Sequence, residues 1–319
     1  MMDVAQEVLN AEQRIRPYIR QTILEHSLPL SRPGGPNVYC KLENLQHTGS
    51  FKARGAMNKL LSLPEHVLAQ GIVTASTGNH GAAVAWSAGT LGAQGIVFVP
   101  HGSSPTKIAA IERLGAEVRF HGHDCAEAET FARGYAAEQG LAYVSPYNDP
   151  QVVGGQGTIG VELLRQIEPI DTVYVSLGGG GLISGVAGYL KSVCPEIRII
   201  GCSPENSQVM IQSVAAGKIL DLPSLPTLSD GTAGGIEPGA ITFDLCRRWV
   251  DDYVTVSEDE IQSSLRSFTE THHMLIEGAA AVAVASYLKD QGRGGGGTGN
   301  VVIVICGANI SLETLKGVL

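Results

Sequence analysis

The sequence is poor in basic residues and contains no run of Lys or Arg longer than two. Its 22 Lys and Arg against 31 Asp and Glu give a formal net charge of -9. Binding to a phosphate backbone usually requires a basic surface, so we expect no nucleic-acid partner. Apolar stretches of about 18 residues are also lacking, and the N-terminus has no signal-peptide core. We therefore expect neither a membrane span nor a membrane partner.

Cysteine pairs with the spacing of a redox or metal site are missing as well. The six cysteines are widely scattered, and none belongs to a C-x-x-C pair. This distribution is typical of isolated reduced thiols rather than of a disulfide framework or a zinc site. The sequence therefore predicts a cytoplasmic protein.

Glycine is abundant, with 40 of 319 residues, and 44% of the chain is hydrophobic. Short β-branched runs alternate with helical patterns, which is typical of parallel sheets covered by helices. The predicted class is α/β, with open, twisted, mostly parallel sheets. Two strand–helix series, before and after about residue 150, predict two lobes with a cleft between them. The segment DQGRGGGGTGN at 290–300 is predicted to be a surface loop.

Nine strands are predicted from these runs. They are NVYCKLE, GIVTAST, GIVFVP, AEVRFHG, LAYVSP, DTVYVSL, IRIIGCS, DYVTVS and VVIVICG.

Four consecutive glycines, Gly178 to Gly181, follow one predicted strand and precede a helical pattern. Backbone amides at a helix N-terminus, together with the helix dipole, bind phosphate well. The alternative is a tight turn that only lets strand and helix pack closely. A loose dinucleotide fingerprint, Gly179-x-Gly181-x-x-Ser184, also keeps a nicotinamide-dependent oxidoreductase open.

The segment GIVTASTGNHGAAVAW contains a second strand-to-helix turn, formed by Ser76, Thr77, Gly78, Asn79 and His80. Its hydroxyl, amide and backbone donors suit a small carboxylate. Ordinary N-capping would explain the same residues without any function. No nucleophile or metal-ligand spacing accompanies His80, so we predict that it serves packing rather than proton transfer.

Lys52 lies between Phe51 and Ala53 at a predicted helix start, in TGSFKARGAMNKL. Apolar surroundings and the positive end of a helix dipole favour the neutral amine, which is the form that attacks an aldehyde. A surface lysine with its head in water is the ordinary alternative. An amine nucleophile, a phosphate loop and a carboxylate loop together match the needs of pyridoxal phosphate holding an amino acid.

The chain resembles the threonine/serine dehydratase and serine racemase group of pyridoxal-phosphate enzymes, which have fold type II. KLENLQHTGSFKARGA is similar to the lysine motif of this group, STGNHG to its carboxylate loop, LGGGGLISG to its phosphate loop and VICGAN to its C-terminal strand motif. These motifs occur in the same order and span most of the chain. The resemblance implies a large cofactor-binding lobe of residues 1–47 and 148–319, and a small mobile lobe of residues 48–147.

The resemblance also implies roles for individual residues. Lys52 would form a Schiff base with the cofactor, Phe51 would pack beside the ring, and Asn79 would approach the ring hydroxyl. Cys306 would face the pyridine nitrogen, and since a thiol brings no charge, the ring would be a weaker electron sink than beside an Asp. This favours elimination over transamination. The residues that would hold the phosphate are Gly178, Gly179, Gly180, Gly181 and Leu182.

The implied function is elimination of water from a 3-hydroxyamino acid such as L-threonine or L-serine, which yields a 2-oxo acid and ammonia. Lys52 would remove the α-proton. The alternatives are a serine racemase, or a dehydratase for hydroxyaspartate, phenylserine or a hydroxyectoine-derived substrate. A nicotinamide-dependent oxidoreductase and a non-catalytic amino-acid sensor are more distant. The expected partners are the small hydroxyamino acid and a second copy of the chain in a homodimer.

Thr77 is the second catalytic candidate, because racemases of the group carry a serine there that serves the other face of the substrate. The branched β-carbon of threonine restricts its hydroxyl. We therefore predict that Thr77 binds the substrate carboxylate and that elimination exceeds racemisation.

The racemase-like members of the group also bind a divalent cation through a Glu and an Asp after the strand that reads IRIIGCS here. Ser203 and Val209 stand at these two positions, and Glu205 is out of register. Because a hard cation needs several anionic oxygens, we expect no required metal. Recruitment of a cation by Glu205 in a shifted geometry stays open as an alternative. Glu277, in LIEGAAA, either faces the cofactor ring or caps the following helix, and both alternatives stay open.

Overall fold

The protein is described here by a computed structural model that covers residues 2–294 and 299–318. Its strands are β1 Leu24–His26, β2 Asn37–Leu42, β3 Ile72–Ala75, β4 Gly95–Val99, β5 Glu117–Phe120, β6 Ala142–Tyr143, β7 Thr172–Ser176, β8 Arg198–Pro204, β9 Asp252–Val256 and β10 Asn300–Ile305. Its α-helices are α1 Val4–Ile15, α2 Lys52–Leu61, α3 Glu65–Gln70, α4 Asn79–Leu91, α5 Pro105–Arg113, α6 Cys125–Gln139, α7 Pro150–Gln166, α8 Gly181–Val193, α9 Val209–Ala216, α10 Ile241–Trp249, α11 Glu258–His272, α12 Gly278–Gly292 and α13 Leu312–Val318. Three short 3-10 helices cover Glu43–Leu45, His47–Gly49 and Asp230–Thr232.

The larger sheet has six strands in the order β1-β2-β10-β7-β8-β9. All of its pairs are parallel except β1 with β2. The central strands β7 and β10 are almost continuous apolar runs because helices such as α8 and α12 cover them, as is usual for parallel sheets. Residues 172–176 are all buried.

The smaller sheet has four parallel strands in the order β5-β4-β3-β6. Helices α4 and α6 pack against it and bury apolar side chains from both elements. Helix α6 begins at the N-cap Asp124, whose side chain accepts a hydrogen bond from the amide of Glu127, and it ends at Gly140 in the left-handed conformation. These are regular start and stop signals of a helix.

The predicted α/β class and all nine predicted strands are confirmed. The three-residue edge strand β1 is not predicted. The predicted surface loop at 290–300 is wrong at both ends, because residues 290–292 belong to α12 and Asn300 opens β10. Residues 295–298 of that segment lie outside the described residues. None of the described helices is long and apolar enough to cross a membrane, and the six cysteines are unpaired.

The sheets bring the predicted motifs together, because each motif follows the carboxyl end of a parallel strand. The lysine segment comes after β2, the carboxylate loop after β3, the glycine loop after β7 and the VICGAN segment at the end of β10. Ligands of open α/β sheets bind at this edge. The topology therefore places the candidate residues at one site.

A buried ion network fixes α2 to the larger sheet. Arg54, two residues after Lys52, is wholly buried and donates paired hydrogen bonds of 2.8 to 2.9 Å to the carboxylates of Glu43 and Glu162. Lys41 donates a further bond to Glu162 at 2.6 Å. Burial would raise the pKa of Glu162, but Arg54 and Lys41 outweigh it and lower this pKa to about 2. The Glu162 carboxylate is therefore charged, and Arg54 and Lys41 compensate its charge.

Replacing Arg54→Ala is expected to lower the free energy of unfolding by about 3–5 kcal/mol, because it leaves buried carboxylates without a partner. Denaturant unfolding measures this loss. The control is Arg247→Ala, which removes an exposed ion pair with Asp244 and should change stability by less than about 1 kcal/mol. Equal effects of the two substitutions would contradict the role of the network.

Candidate active site

Lys52 is the first residue of α2, and its amine reaches the end of the smaller sheet. The Nζ atom donates a hydrogen bond to the carbonyl of Pro146 at 2.7 Å. Burial lowers the pKa of this amine to about 8, although Cys306 and Glu277 oppose the shift. At neutral pH about one such amine in ten is uncharged, against about one in a few thousand at the usual pKa of lysine. A nucleophilic amine is therefore available.

The backbone beside Lys52 pairs with the segment that follows β10. The amide of Phe51 donates to the carbonyl of Cys306 at 3.0 Å, and the amide of Ala308 donates to the carbonyl of Gly49 at 2.9 Å. These bonds bring Phe51 and Cys306 next to each other although they are far apart in sequence. The Lys52 amine lies 5.3 Å from the centre of the Phe51 ring.

The glycine loop joins β7 to α8. Within the described part of the chain, the backbone amides of residues 178–182 donate to no protein acceptor. Five successive N–H groups at the start of a helix can therefore bind an anion.

The same glycines are also required by close packing. A Cβ atom on Gly178 would lie 2.8 Å from the backbone of Thr232, and one on Gly179 would lie 2.6 Å from the ring of Tyr147. Gly180 has a φ of +85°. Both interpretations of this loop are therefore compatible with the structure: packing explains why the residues are glycine, and their amides provide anion donors.

The carboxylate loop connects β3 to α4. The Ser76 hydroxyl accepts a hydrogen bond from the amide of Gly78 at 3.2 Å, and no side chain caps α4. The amides at the start of α4 thus remain available for a carboxylate. Thr77 is partly exposed in this turn.

His80 is buried at the start of α4, and its Nε2 atom donates to the carbonyl of Val144 at 3.0 Å. Burial and the nearby charge of Lys52 lower the pKa of His80 to about 3. The imidazole is therefore neutral near physiological pH and bonded within its own sheet. This geometry supports the predicted packing role.

Asn79 is engaged with protein partners. Its Nδ2 atom donates to both carboxylate oxygens of Glu277 at 2.9 Å, and its Oδ1 atom accepts from the side chain of Asn309 at 2.6 Å. The predicted contact of Asn79 with a ring hydroxyl therefore remains a prediction.

Glu277 faces the site and does not cap α12, since its side chain bonds no amide of that helix. The sequence alone is compatible with both roles of Glu277 and indicates no role for Asn309. The only sequence signal for Asn309 is its place in VICGAN, directly after β10.

Ser203 and Glu205, which lie in the segment where the racemase-like members of the group bind a cation, interact with other groups of this protein. The Ser203 hydroxyl donates to the carbonyl of Leu177 at 2.8 Å, and Glu205 forms an exposed ion pair with Lys289 at 3.3 Å. In residues 2–294 and 299–318, no group of three or more His, Cys, Asp and Glu is placed to hold a metal ion. Independence from metals remains a prediction.

Comparison with known proteins identifies the family. Residues 15–307 match the family described as pyridoxal-phosphate dependent enzyme. The chain belongs to the pyridoxal-phosphate dependent enzymes. An L-threonine ammonia-lyase of Geobacter sulfurreducens is 40% identical over 312 residues, which are 98% of this chain and 77% of that protein.

Two further relatives cover nearly the whole chain. A serine racemase of Arabidopsis thaliana is 37% identical over 311 residues, which are 97% of this chain and 93% of that protein. The structure of threonine deaminase isoform 2 from Solanum lycopersicum has a TM-score of 0.93 at 32% identity and covers 99% of this chain and 92% of that one. The fold is therefore type II of the pyridoxal-phosphate dependent enzymes, and the cofactor is pyridoxal phosphate rather than nicotinamide.

The residues of the site fit this cofactor. The unpaired amides of residues 178–182 match a phosphate group, and the Lys52 amine with its lowered pKa matches an aldehyde. Tyr147 connects the glycine loop with the partner of Lys52. It follows Pro146, whose carbonyl accepts the Lys52 hydrogen bond, and its ring packs against Gly179. A phosphate donor set and a reactive amine thus lie on adjoining segments.

Replacing Gly178→Ala is expected to weaken pyridoxal-phosphate binding about tenfold, because the new methyl group displaces the loop from the Thr232 backbone. A titration followed by absorbance gives the dissociation constant. Gly134→Ala in α6 is the matched control, since a Cβ there meets nothing within 4 Å. The control should keep the affinity and stabilise the helix by about 0.5–1 kcal/mol. Unchanged affinity in Gly178→Ala would contradict the assignment of the phosphate loop.

Proposed function

We propose that this enzyme eliminates water from a 3-hydroxyamino acid, with L-threonine or L-serine as substrate, and releases a 2-oxo acid and ammonia. The observation that carries the proposal is the Lys52 amine, whose lowered pKa leaves part of it uncharged near neutral pH. It donates to the carbonyl of Pro146, next to Tyr147, which packs against Gly179 of the glycine loop, and its charge acts on His80 of the carboxylate loop. The relatives named as threonine ammonia-lyase and threonine deaminase support the reaction type.

Pyridoxal phosphate supplies an aldehyde for attachment of the amino group and a conjugated ring that accepts electrons from the α-carbon. The chain supplies the remaining functions. Lys52, when its amine is free, takes the α-proton of the bound amino acid. The loop from Ser76 to His80 binds the substrate carboxylate through its amides and hydroxyls. His80 stays neutral and does not compete for the proton.

Serine racemisation is the second candidate function, because a serine racemase of Arabidopsis thaliana is 37% identical to the chain. A racemase needs a second proton donor on the face opposite Lys52. The hydroxyl of Thr77 is the candidate for that role. Its β-branched side chain favours carboxylate binding instead, so we give elimination priority.

We also propose that residues 48–147 form a small mobile lobe and that residues 1–47 and 148–319 form a large cofactor-binding lobe. Within the small lobe, the proposed mobility applies to the four-stranded sheet and the helices packed on it, since Arg54 anchors α2 to Glu43 and Glu162. The two separate sheets support this division. A homodimer and a cytoplasmic location complete the proposal, and the six unpaired cysteines support the location.

The test is to supply the holoenzyme with L-threonine, L-serine and other 3-hydroxyamino acids and to measure 2-oxo acid and ammonia. We expect turnover with L-threonine or L-serine. Turnover should persist in excess chelator, because no metal is expected to be required. Lys52→Ala should abolish turnover and borohydride trapping of the cofactor, whereas Lys218→Ala at an exposed position should retain both. Absence of ammonia release from every substrate would refute the function.

Thr77 distinguishes elimination from racemisation. With L-serine, we expect pyruvate to form faster than D-serine, and Thr77→Ala to keep dehydration while it raises KM, since a carboxylate contact is lost. Chiral chromatography alongside a pyruvate assay measures both products. If D-serine forms faster than pyruvate, the enzyme is a racemase.

A further inference from the structure

Glu277 is a buried carboxylate at the junction of the two sheets, with 3% of its surface exposed. It lies directly before α12, and its backbone amide donates to the carbonyl of Gly307 at 3.0 Å. Gly307 follows Cys306 at the end of β10, and a Cβ atom on Gly307 would lie 2.6 Å from Glu277 Oε1. The carboxylate is therefore held tightly against the segment that contains Cys306.

Three donors from separate places converge on this carboxylate. Asn79 Nδ2 lies 2.9 Å from each oxygen, the amide of Asn309 lies 3.1 Å from Oε2, and Cys306 Sγ lies 3.8 Å from Oε1. An ionised carboxylate only accepts hydrogen bonds and satisfies all three donors. A protonated acid or an amide would place its own donor against one of them. The three hydrogen bonds therefore favour the ionised form and oppose the rise in the pKa of Glu277 that burial causes.

The bond from Cys306 has a consequence for the cofactor. A thiol has one hydrogen, and here it is directed to Glu277. The sulfur can then offer only an acceptor to any other group. The resemblance implies that the thiol is an uncharged partner of the ring nitrogen, but in the structure this thiol lies 3.8 Å from a carboxylate oxygen.

We propose that Glu277 is a positioning residue that orients Cys306 and Asn79 and supplies the buried negative charge of the cofactor site. This inference rests on the proposed function. The hydrogen bond orients the Cys306 sulfur, and through space the negative charge favours a positive charge on the Lys52 nitrogen.

Other groups also bear on the titration of the site. Burial raises the pKa of Glu277, and the hydrogen bond from Asn79 opposes this shift. The remaining titratable groups that face Lys52 or Glu277 are Cys306, His80, Glu129 and Asp230. His80 stays neutral near physiological pH and therefore does not contribute to a charge change there.

The test compares Glu277→Gln and Glu277→Asp with the control Asp290→Asn. Asp290 lies in the last turn of the same helix, accepts a bond from Tyr174 at 2.6 Å and has no contact with the site. The readouts are the pH midpoint of the visible absorbance of the holoenzyme and the dissociation constant of pyridoxal phosphate. Neither readout needs a substrate, so the proposal stays testable even if no hydroxyamino acid is turned over.

In Glu277→Gln, we expect the absorbance midpoint to fall by about one pH unit, because loss of a negative charge disfavours the protonated form. We also expect cofactor affinity to fall about tenfold, and kcat to fall more than KM changes. Glu277→Asp keeps the charge and should hold the midpoint within a few tenths of a unit. A midpoint unchanged in Glu277→Gln, or shifted equally in Asp290→Asn, overturns the proposal.

A second pair of variants applies if Glu277→Gln fails to hold the cofactor. Cys306→Ser keeps a donor to Glu277 and should preserve the midpoint and affinity. Cys306→Ala removes the link between the carboxylate and the cofactor edge and should lower both. Equal behaviour of these two variants refutes the proposed role of the hydrogen bond between Cys306 and Glu277.

Discussion

The position of the reactive amine depends on the burial of Arg54. Arg54 lies two residues after Lys52 in α2, and its guanidinium is held by Glu43 at the end of β2 and by Glu162 in α7. Buried ion pairs of this kind add little net stability, but they are costly to break and they specify one geometry. Because α2 is anchored this way, Lys52 enters the site from a fixed helix start. Because the start of the helix is fixed, the pKa of the Lys52 amine is set by its buried surroundings.

Much of the fold could be predicted from the sequence, because the strands of parallel sheets are apolar runs long enough to recognise. All nine predicted strands are present, including the two-residue β6. Only β1 was not predicted, because a three-residue antiparallel edge strand is too short to show an alternation of apolar and polar residues. The Lys52, glycine-loop and STGNHG segments could be found because each combines turn chemistry with a neighbouring strand.

The contacts that organise the site could not be predicted in the same way. Arg54 stands in a small-residue segment without any local sign that its partners are 11 and 108 positions away. Glu277 fits a helix start equally well as a cap or as a site residue, and only its distance to Asn79 and Cys306 decides between the two. Such assignments depend on tertiary distances, to which local propensity contributes nothing.

The two halves of the site are held by different kinds of interaction. The Lys52 segment is held against the larger sheet by two backbone bonds, from Phe51 to Cys306 and from Ala308 to Gly49, and by the ion network. The carboxylate loop meets that sheet through side chains, chiefly the bonds of Asn79 to Glu277 and Asn309. Backbone pairing and buried ion pairs constrain position more strongly than a few side-chain hydrogen bonds. The geometry of the reactive amine is therefore fixed by the core, whereas the contact of the carboxylate loop with the larger sheet depends on the Asn79 amide and its partners.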